Sequence, residues 1–289
     1  MNGILNVLKP PGMTSHDVVS FVRKVCGIKK VGHTGTLDPG AAGVLPVCIG
    51  KSTKIVDYIM NDRKTYICEL TLGNVTDTYD KYGDFKYDES MPIDSLTEED
   101  FIKLLQCFKG EISQKPPGFS AIKINGKRAY ELARQGIEVD IPQRKVTIYD
   151  IALLKFNVPN IMLKITCSKG TYIRSICKDI GSMLGCGAYM SFLIRSETGC
   201  FNLKNCYTFD EINKNNIEEL LVGPDFCLNM DSIVVADSYK EKLLNGNSIL
   251  LHNDQINKNQ YVKIYLSRNT FIGIGKINEN ILYVEKLLI

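Results

Sequence analysis

The sequence predicts an α+β fold: a mixed, mainly antiparallel sheet flanked by helices, with an inserted arm and a small β-rich C-terminal domain. Three observations predict it. Short strand-like and helix-like pieces alternate along the first 230 residues, a basic stretch with Pro116-Pro117-Gly118 interrupts them at about 113–145, and the composition shifts after Gly223-Pro224 to short strand-like runs. The expected division is a main domain over 1–230 and a tail domain over 231–289. At 44% hydrophobic and 23% charged residues, the 289-residue chain has the composition of a globular protein, not a disordered one.

The elements follow in order. Ser15–Cys26 reads as a helix, because Val18, Val19, Val22 and Val25 share one face behind a Ser near its start. Val44–Ile49 is a short apolar run, expected to be a buried strand. Lys51–Met60 reads as helical. Lys64–Leu72 alternates like a strand, with Tyr66, Cys68 and Leu70 on one side and Ile67 and Glu69 on the other. Thr97–Phe108 has a capping Thr, acids in its first turn and an apolar face, the marks of a helix.

In the arm, Ala121–Ile124 runs into the turn pair Asn125-Gly126, and a basic helical piece, Lys127–Gln135, is stopped by Gly136. Ile161–Cys167 reads as a strand, Thr171–Leu184 as a helix opened by Gly170, and Tyr189–Arg195 as a strand. The tail offers strands at Tyr261–Ser267, Thr270–Lys276 and Ile281–Glu285. No internal repeat and no low-complexity segment is found.

The net charge of +3 hides an asymmetry. Residues 76–100 hold nine acids and two bases, whereas 113–145 hold seven Lys/Arg and three acids, and Arg23, Lys24, Lys29 and Lys30 cluster near the start. Such patches are either solvated faces or an interrupted track for a polyanion. With no Trp in the chain, any base stacking falls to Tyr, Phe, His or Arg. The ten cysteines form no CxxC pair and read as small buried hydrophobes rather than metal ligands or disulfides. The start, MNGILNVLKPPGM, lacks the basic n-region and apolar core of a signal peptide, and no apolar run is long enough to span a membrane; a cytoplasmic location is expected.

Chemistry concentrates in 32–46, GHTGTLDPGAAGVLP, a glycine-rich loop with a single carboxylate, Asp38, before Pro39. Two readings stand side by side: a nucleophile or base carried on the loop, or a residue capping a turn before proline. His33 likewise either contacts phosphate or base, or bonds to its own loop. In SKGTYIR (168–174), Tyr172 and Arg174 follow a glycine at a strand-to-helix junction; Arg174 is either exposed or the partner of a buried carboxylate. Tyr66 is either a half-buried strand tyrosine or a stacking surface. No Ser/His/Asp relay and no P-loop appears, and GSMLGCG (181–187) follows a helix, the wrong context for a dinucleotide fingerprint.

Together these segments resemble a known family. KPPGMTS (9–15) followed by GHTGTLDP (32–39) is similar to the two N-terminal motifs of the TruB family of pseudouridine synthases. The likeness continues through KTYICELTLGNVTDTYDKYG (64–83), QKPPGFSAIKINGKRAYELARQG (114–136), CSKGTYIRSICKDIG (167–181) and FLIR (192–195), in order, to about residue 230. The tail, with FIGIGKI (271–277) and a closing KLLI, resembles a PUA-type RNA-binding domain. One departure stands at 40–43, where Gly-Ala-Ala-Gly replaces the Leu-Ala-Thr-Gly of many relatives; the carboxylate is retained.

The resemblance implies a pseudouridine-synthase-type fold and isomerisation of uridine 55 in the tRNA T-loop, without cofactor or metal. The target base would be flipped out of the folded loop. Asp38 would be the catalytic carboxylate, Tyr66 would stack on the uracil, and Arg174 would pair with Asp38. Tyr172 and Leu193 would line the pocket, and His33 and Asp77 would contact RNA. Lys123, Lys127, Arg128 and Arg134 on the arm would lie near phosphates, and the tail domain near the acceptor stem. Neither a guide RNA nor an obligatory protein partner is expected. Three other readings stay open: a guide-dependent relative, an RNA-binding or RNA-folding module, and an enzyme for a small sugar or nucleotide.

Overall fold

The computed structural model describes residues 1–60, 63–86, 93–124, 126–137, 140–251, 259–267 and 269–289. Its centre is a nine-stranded mixed sheet. Across it run Gly3–Lys9, Ala42–Ile49, Ala188–Thr198, Lys64–Leu72, Asn160–Cys167, Arg144–Asn157 and Gly110–Gln114, with Val31–His33 and Phe201–Asn202 as short side strands. The pairing of Ala188–Thr198 with Ala42–Ile49 is parallel and the other pairings are antiparallel. This register sets Tyr66 opposite Ile165 on one neighbour and Arg195 on the other.

The helix Ser15–Cys26 lies where its valine stripe predicts. Thr14 and Asp17 form a capping box, Gly27 closes the helix at φ 68, and Val18, Val19 and Val22 pack on the sheet with Leu5, Val7 and Leu45. The helix Ile173–Leu184 buries Ile173, Ile176, Cys177 and Ile180 against Cys68, Leu70 and Ile165. At about 1.5–3 kcal/mol for each fully buried large apolar side chain, these faces hold the helices down far more strongly than helix propensity does.

The arm leaves the sheet after Gly110–Gln114 and returns as Arg144–Asn157, two strands paired with each other. It carries a hairpin of Lys123–Ile124 with Lys127–Arg128, turned by Gly126 at φ 85; Asn125, the other half of the expected turn pair, lies outside the described residues. Because Lys127 and Arg128 pair with the preceding strand, the expected helix Lys127–Gln135 shrinks to Ala129–Ala133. Lys51–Met60 is also not one helix: Gly50–Ile55 is 3₁₀ and only Val56–Met60 is α. Asp88 and Glu89 of the acidic stretch lie outside the described residues.

The chain from 232 onward builds a separate five-stranded sheet with its own core of Val235, Leu243, Ile264, Ile272 and Leu282. It docks on the edge remote from the arm, where Ile274 and Leu288 join Ile4, Val44 and Ile55. Six of the ten cysteines are buried, but Cys26, Cys200 and Cys206 are half-buried and Cys107 is exposed at the end of its helix, correcting the uniform expectation. Among the described residues, no helix is long and apolar enough to cross a membrane.

Candidate active site

Asp38 sits on a loop whose shape is fixed from four directions. The chain turns at Asp38–Ala41, where the Ala41 N–H donates to the Asp38 carbonyl at 3.0 Å with Pro39 at the second position. Ser15, at the start of its helix, clamps the neighbouring residue: its Oγ accepts from the Leu37 N–H at 2.9 Å and donates to the Leu37 carbonyl at 3.2 Å. Leu37 itself is buried in the main core with Leu193 and Tyr66.

Lys9, wholly buried, donates to the carbonyls of Pro10 at 2.9 Å, Pro39 at 3.3 Å and Ala41 at 2.6 Å. Burial pulls its amine down to about 8, opposed by the nearby Asp38 charge. Arg195, 1% exposed, donates to the carbonyls of Val44 at 2.8 Å and Gly35 at 3.1 Å. A side chain at position 43 would strike the Arg195 carbonyl at 2.3 Å, and Gly43 has φ 118, so the loop can re-enter the sheet only as glycine.

Against this fixed carboxylate lies Arg174. Its Nη2 donates to Asp38 Oδ1 at 3.1 Å; its Nε lies 2.9 Å from Oδ2, an ion-pair contact not aligned for a hydrogen bond. The guanidinium side chain is 6% exposed and the carboxylate 35%, so the cation is enclosed while Asp38 keeps an open edge. The same guanidinium donates to the Thr78 carbonyl at 3.1 Å and the Phe119 carbonyl at 3.1 Å, and lies 3.6 Å from Asp80 Oδ2. Arg174 therefore joins the Asp38 loop, the turn 76–84 and the root of the arm.

Tyr66 is half-buried beside this pair. Burial pushes its phenol up, opposed chiefly by the Arg195 charge, so the hydroxyl keeps its proton near neutral pH. Leu193 is buried on the adjoining strand. Tyr172 precedes the Arg174 helix; Gln114 pins it, with the Tyr172 N–H donating at 2.8 Å and its carbonyl accepting at 3.0 Å, while the Arg144 guanidinium covers its ring at 4.7 Å. Asp38, Arg174, Tyr66 and Leu193 thus come together, and Tyr172 adjoins them in the chain.

His33 is held by its own loop: the Gly35 N–H donates to Nδ1 at 3.2 Å. Burial, with Arg195 and His16 nearby, keeps its imidazole below the usual range and neutral. Asp77 spends one oxygen inside its turn, accepting from the Asp84 N–H at 2.8 Å. Lys123, Lys127, Arg128 and Arg134 are exposed on the arm, with Arg128 and Arg134 both facing the Tyr130 ring, at 6.0 and 5.5 Å.

Sequence reasoning passed over Asp80, Lys9, Arg195 and Gln114 as members of the site. A Lys closing an apolar run and an Arg closing another were the available signals for two of them. Among the described residues, no group of three His, Cys, Asp or Glu side chains could hold a metal ion.

The mixed α+β fold is that of pseudouridine synthases. It superposes on a protein of an H/ACA ribonucleoprotein bound to a substrate RNA containing 2′-deoxyuridine, with TM-score 0.75 and 24% identity over 99% of this chain and 85% of that one, a likeness of fold. Residues 23–173 match the TruB family pseudouridylate synthase N-terminal domain, 174–224 the tRNA pseudouridylate synthase B C-terminal domain, and 232–288 the pseudouridine synthase II TruB C-terminal family. Proteins named tRNA pseudouridine synthase B are similar over nearly all of their length. The one from Clostridium tetani is 47% identical, covering 100% of both chains, and that from Caldanaerobacter subterraneus subsp. tengcongensis is 49% identical, covering 95% of both. The chain belongs to the TruB family of pseudouridine synthases.

Proposed function

We propose that this protein isomerises uridine 55 in the T-loop of tRNA to pseudouridine, without guide RNA or protein partner, and that Asp38 is its catalytic carboxylate. The observation that carries the reading is the pairing of a partly open Asp38 with a nearly enclosed Arg174 at 3.1 Å. The tRNA substrate is carried over from the names of the relatives.

The reaction is an isomerisation. The C1′–N1 bond of uridine breaks, the uracil turns, C1′–C5 forms, N1 gains a proton and C5 loses one to solvent. For Asp38 to reach the nucleotide, the base must leave its stack, which the enzyme would favour by contacts that replace stacking. Tyr66 offers its ring to the extruded uracil, and Leu193 and Tyr172 bound it. Arg174 keeps the carboxylate in place and supplies a charge-assisted hydrogen bond to it. His33 would contact the displaced nucleotides, and Asp77 would contact the RNA through polar hydrogen bonds. Lys123, Lys127, Arg128 and Arg134 would take phosphates, and residues 231–289 would meet the acceptor-stem side.

The test uses a bare T-arm transcript labelled with tritium at C5. Wild-type protein should release tritium and leave pseudouridine at the target. Asp38→Asn should abolish release while binding the RNA about as well. Undiminished release by that variant, or a requirement for added guide RNA, would overturn the assignment.

A further inference from the structure

One exposed aromatic side chain near this site has no ring partner among the described residues. Tyr82 is 64% exposed, and its ring lies against Gly40. A Cβ built on Gly40 would fall 2.1 Å from Tyr82 Cε2, 2.8 Å from Cζ and 2.9 Å from the hydroxyl, so the ring occupies the space a side chain at position 40 would need. Gly40 is not among the glycines with positive φ, so its backbone does not demand glycine. Glycine at position 40 leaves room for the ring where it stands, two residues from Asp38.

The turn that carries Tyr82 is tied to the reacting centre. The Tyr82 N–H donates to Asp80 Oδ1 at 3.0 Å, and the other Asp80 oxygen lies 3.6 Å from Arg174 Nη1. The Lys81 N–H donates to the Met190 carbonyl at 3.0 Å, and Thr76 Oγ1 donates to the Asp80 carbonyl at 2.7 Å. Lys81 Nζ stands 5.3 Å from the Tyr82 ring centroid. Two other exposed aromatic residues have ring partners, Phe85 with Tyr189 and Tyr261 with Tyr58, and Tyr149 faces the Arg63 guanidinium. Tyr82 instead has a glycine on one side, a cation beside it and solvent over the rest.

We propose that Tyr82 is a stacking platform for an unpaired base next to the reacting uridine, with Lys81 directed to that nucleotide's phosphate and Gly40 present to seat the ring. The proposal rests on the RNA-modifying function above. An exposed aromatic ring beside a cation, close to the catalytic carboxylate, is the pairing that holds single-stranded nucleotides.

Steady-state kinetics on the T-arm transcript test it. Tyr82→Ala should raise KM about tenfold, as loss of one base–ring stack would, with kcat within about twofold of wild type, and Tyr82→Phe should restore KM. Gly40→Ala should raise KM similarly by evicting the ring, and should add nothing in the Tyr82→Ala background. Transcripts abasic at the nucleotides flanking the target should erase the difference between wild type and Tyr82→Ala. A KM for Tyr82→Ala within twofold of wild type, or a difference that survives in the abasic transcripts, overturns the platform. If wild-type protein forms no pseudouridine in the transcript, the function above fails instead. The same variants are then read by RNA dissociation constant, where unchanged binding by Tyr82→Ala overturns the platform separately.

Discussion

The Asp38–Arg174 centre and the arm are both built around cations, and they differ in what surrounds the charge. Arg174 is enclosed and contacts two carboxylates and two carbonyls on three separate segments. Lys123, Lys127, Arg128 and Arg134 are exposed, and none has a carboxylate partner among the described residues. An enclosed ion pair is cooperative, because removing one member leaves the other charged and unpaired. Exposed cations act one by one and are screened by salt. The centre should therefore respond to substitution in stability and turnover together, and the arm in affinity alone.

The largest effect is expected at Arg174. Arg174→Met leaves Asp38 and Asp80 without their common cation and should destabilise the fold by about 3–5 kcal/mol, read as a shift in urea midpoint at unchanged slope. Turnover should fall by at least about 10²-fold, because the carboxylate loses its fixed position. Arg174→Lys should recover part of the stability but little of the turnover, since a point charge cannot contact both carboxylates and both carbonyls as the fork does. A variant as stable and as active as wild type would erase the contrast between the two regions.

Lys9 sharpens the same contrast with pH. Its amine titrates at about 8 in the folded protein against an ordinary 10.5. Between those values the unfolded chain binds more protons than the folded one, so this residue makes stability rise as pH rises through the window. The rise should be at most about 3 kcal/mol and should vanish in Lys9→Met. Urea unfolding of both proteins at pH 7.5, 9 and 10.5 measures it; parallel pH profiles would mean that Lys9 is not held as the loop geometry implies.

The two regions also differ in how much could be read beforehand. Asp38 and Arg174 stand in motifs that name them, and the helices Ser15–Cys26 and Ile173–Leu184 follow from one-faced apolar spacing. Asp80 could not be read, because Asp77 and Asp80 lie three apart in one turn. Which of them meets Arg174 depends on the chain reversing at Tyr79, a non-glycine residue at φ 62. The strand Gly3–Lys9 was not read because Asn6 and Lys9 break its apolar run, although the fold buries both. Its last residue, Lys9, looks like a solvated strand end, and only the fold brings the carbonyls of 39 and 41 to its amine. The arm was legible as an inserted basic element with a hairpin-turn pair at Asn125-Gly126, but its return strand Lys127–Arg128 was hidden by the helical reading of 127–135.

The smallest expected effects lie on the arm, and they test its independence most directly. Lys123→Ala and Lys127→Ala remove exposed side chains and should change stability by no more than about 0.5 kcal/mol. Each should weaken T-arm binding about threefold at moderate salt and lower the slope of log affinity against log salt by about one, with kcat unchanged. The double variant should show the product of the two effects, because the two exposed side chains are not partners in the hairpin register and share no buried contact. Arg134→Ala should do more than either lysine, since it also uncovers the face of Tyr130 that its guanidinium meets at 5.5 Å. If the losses on the arm instead appeared in kcat, its root at Phe119 would be transmitting them to Arg174 through the 3.1 Å carbonyl contact, and arm and centre would be one device.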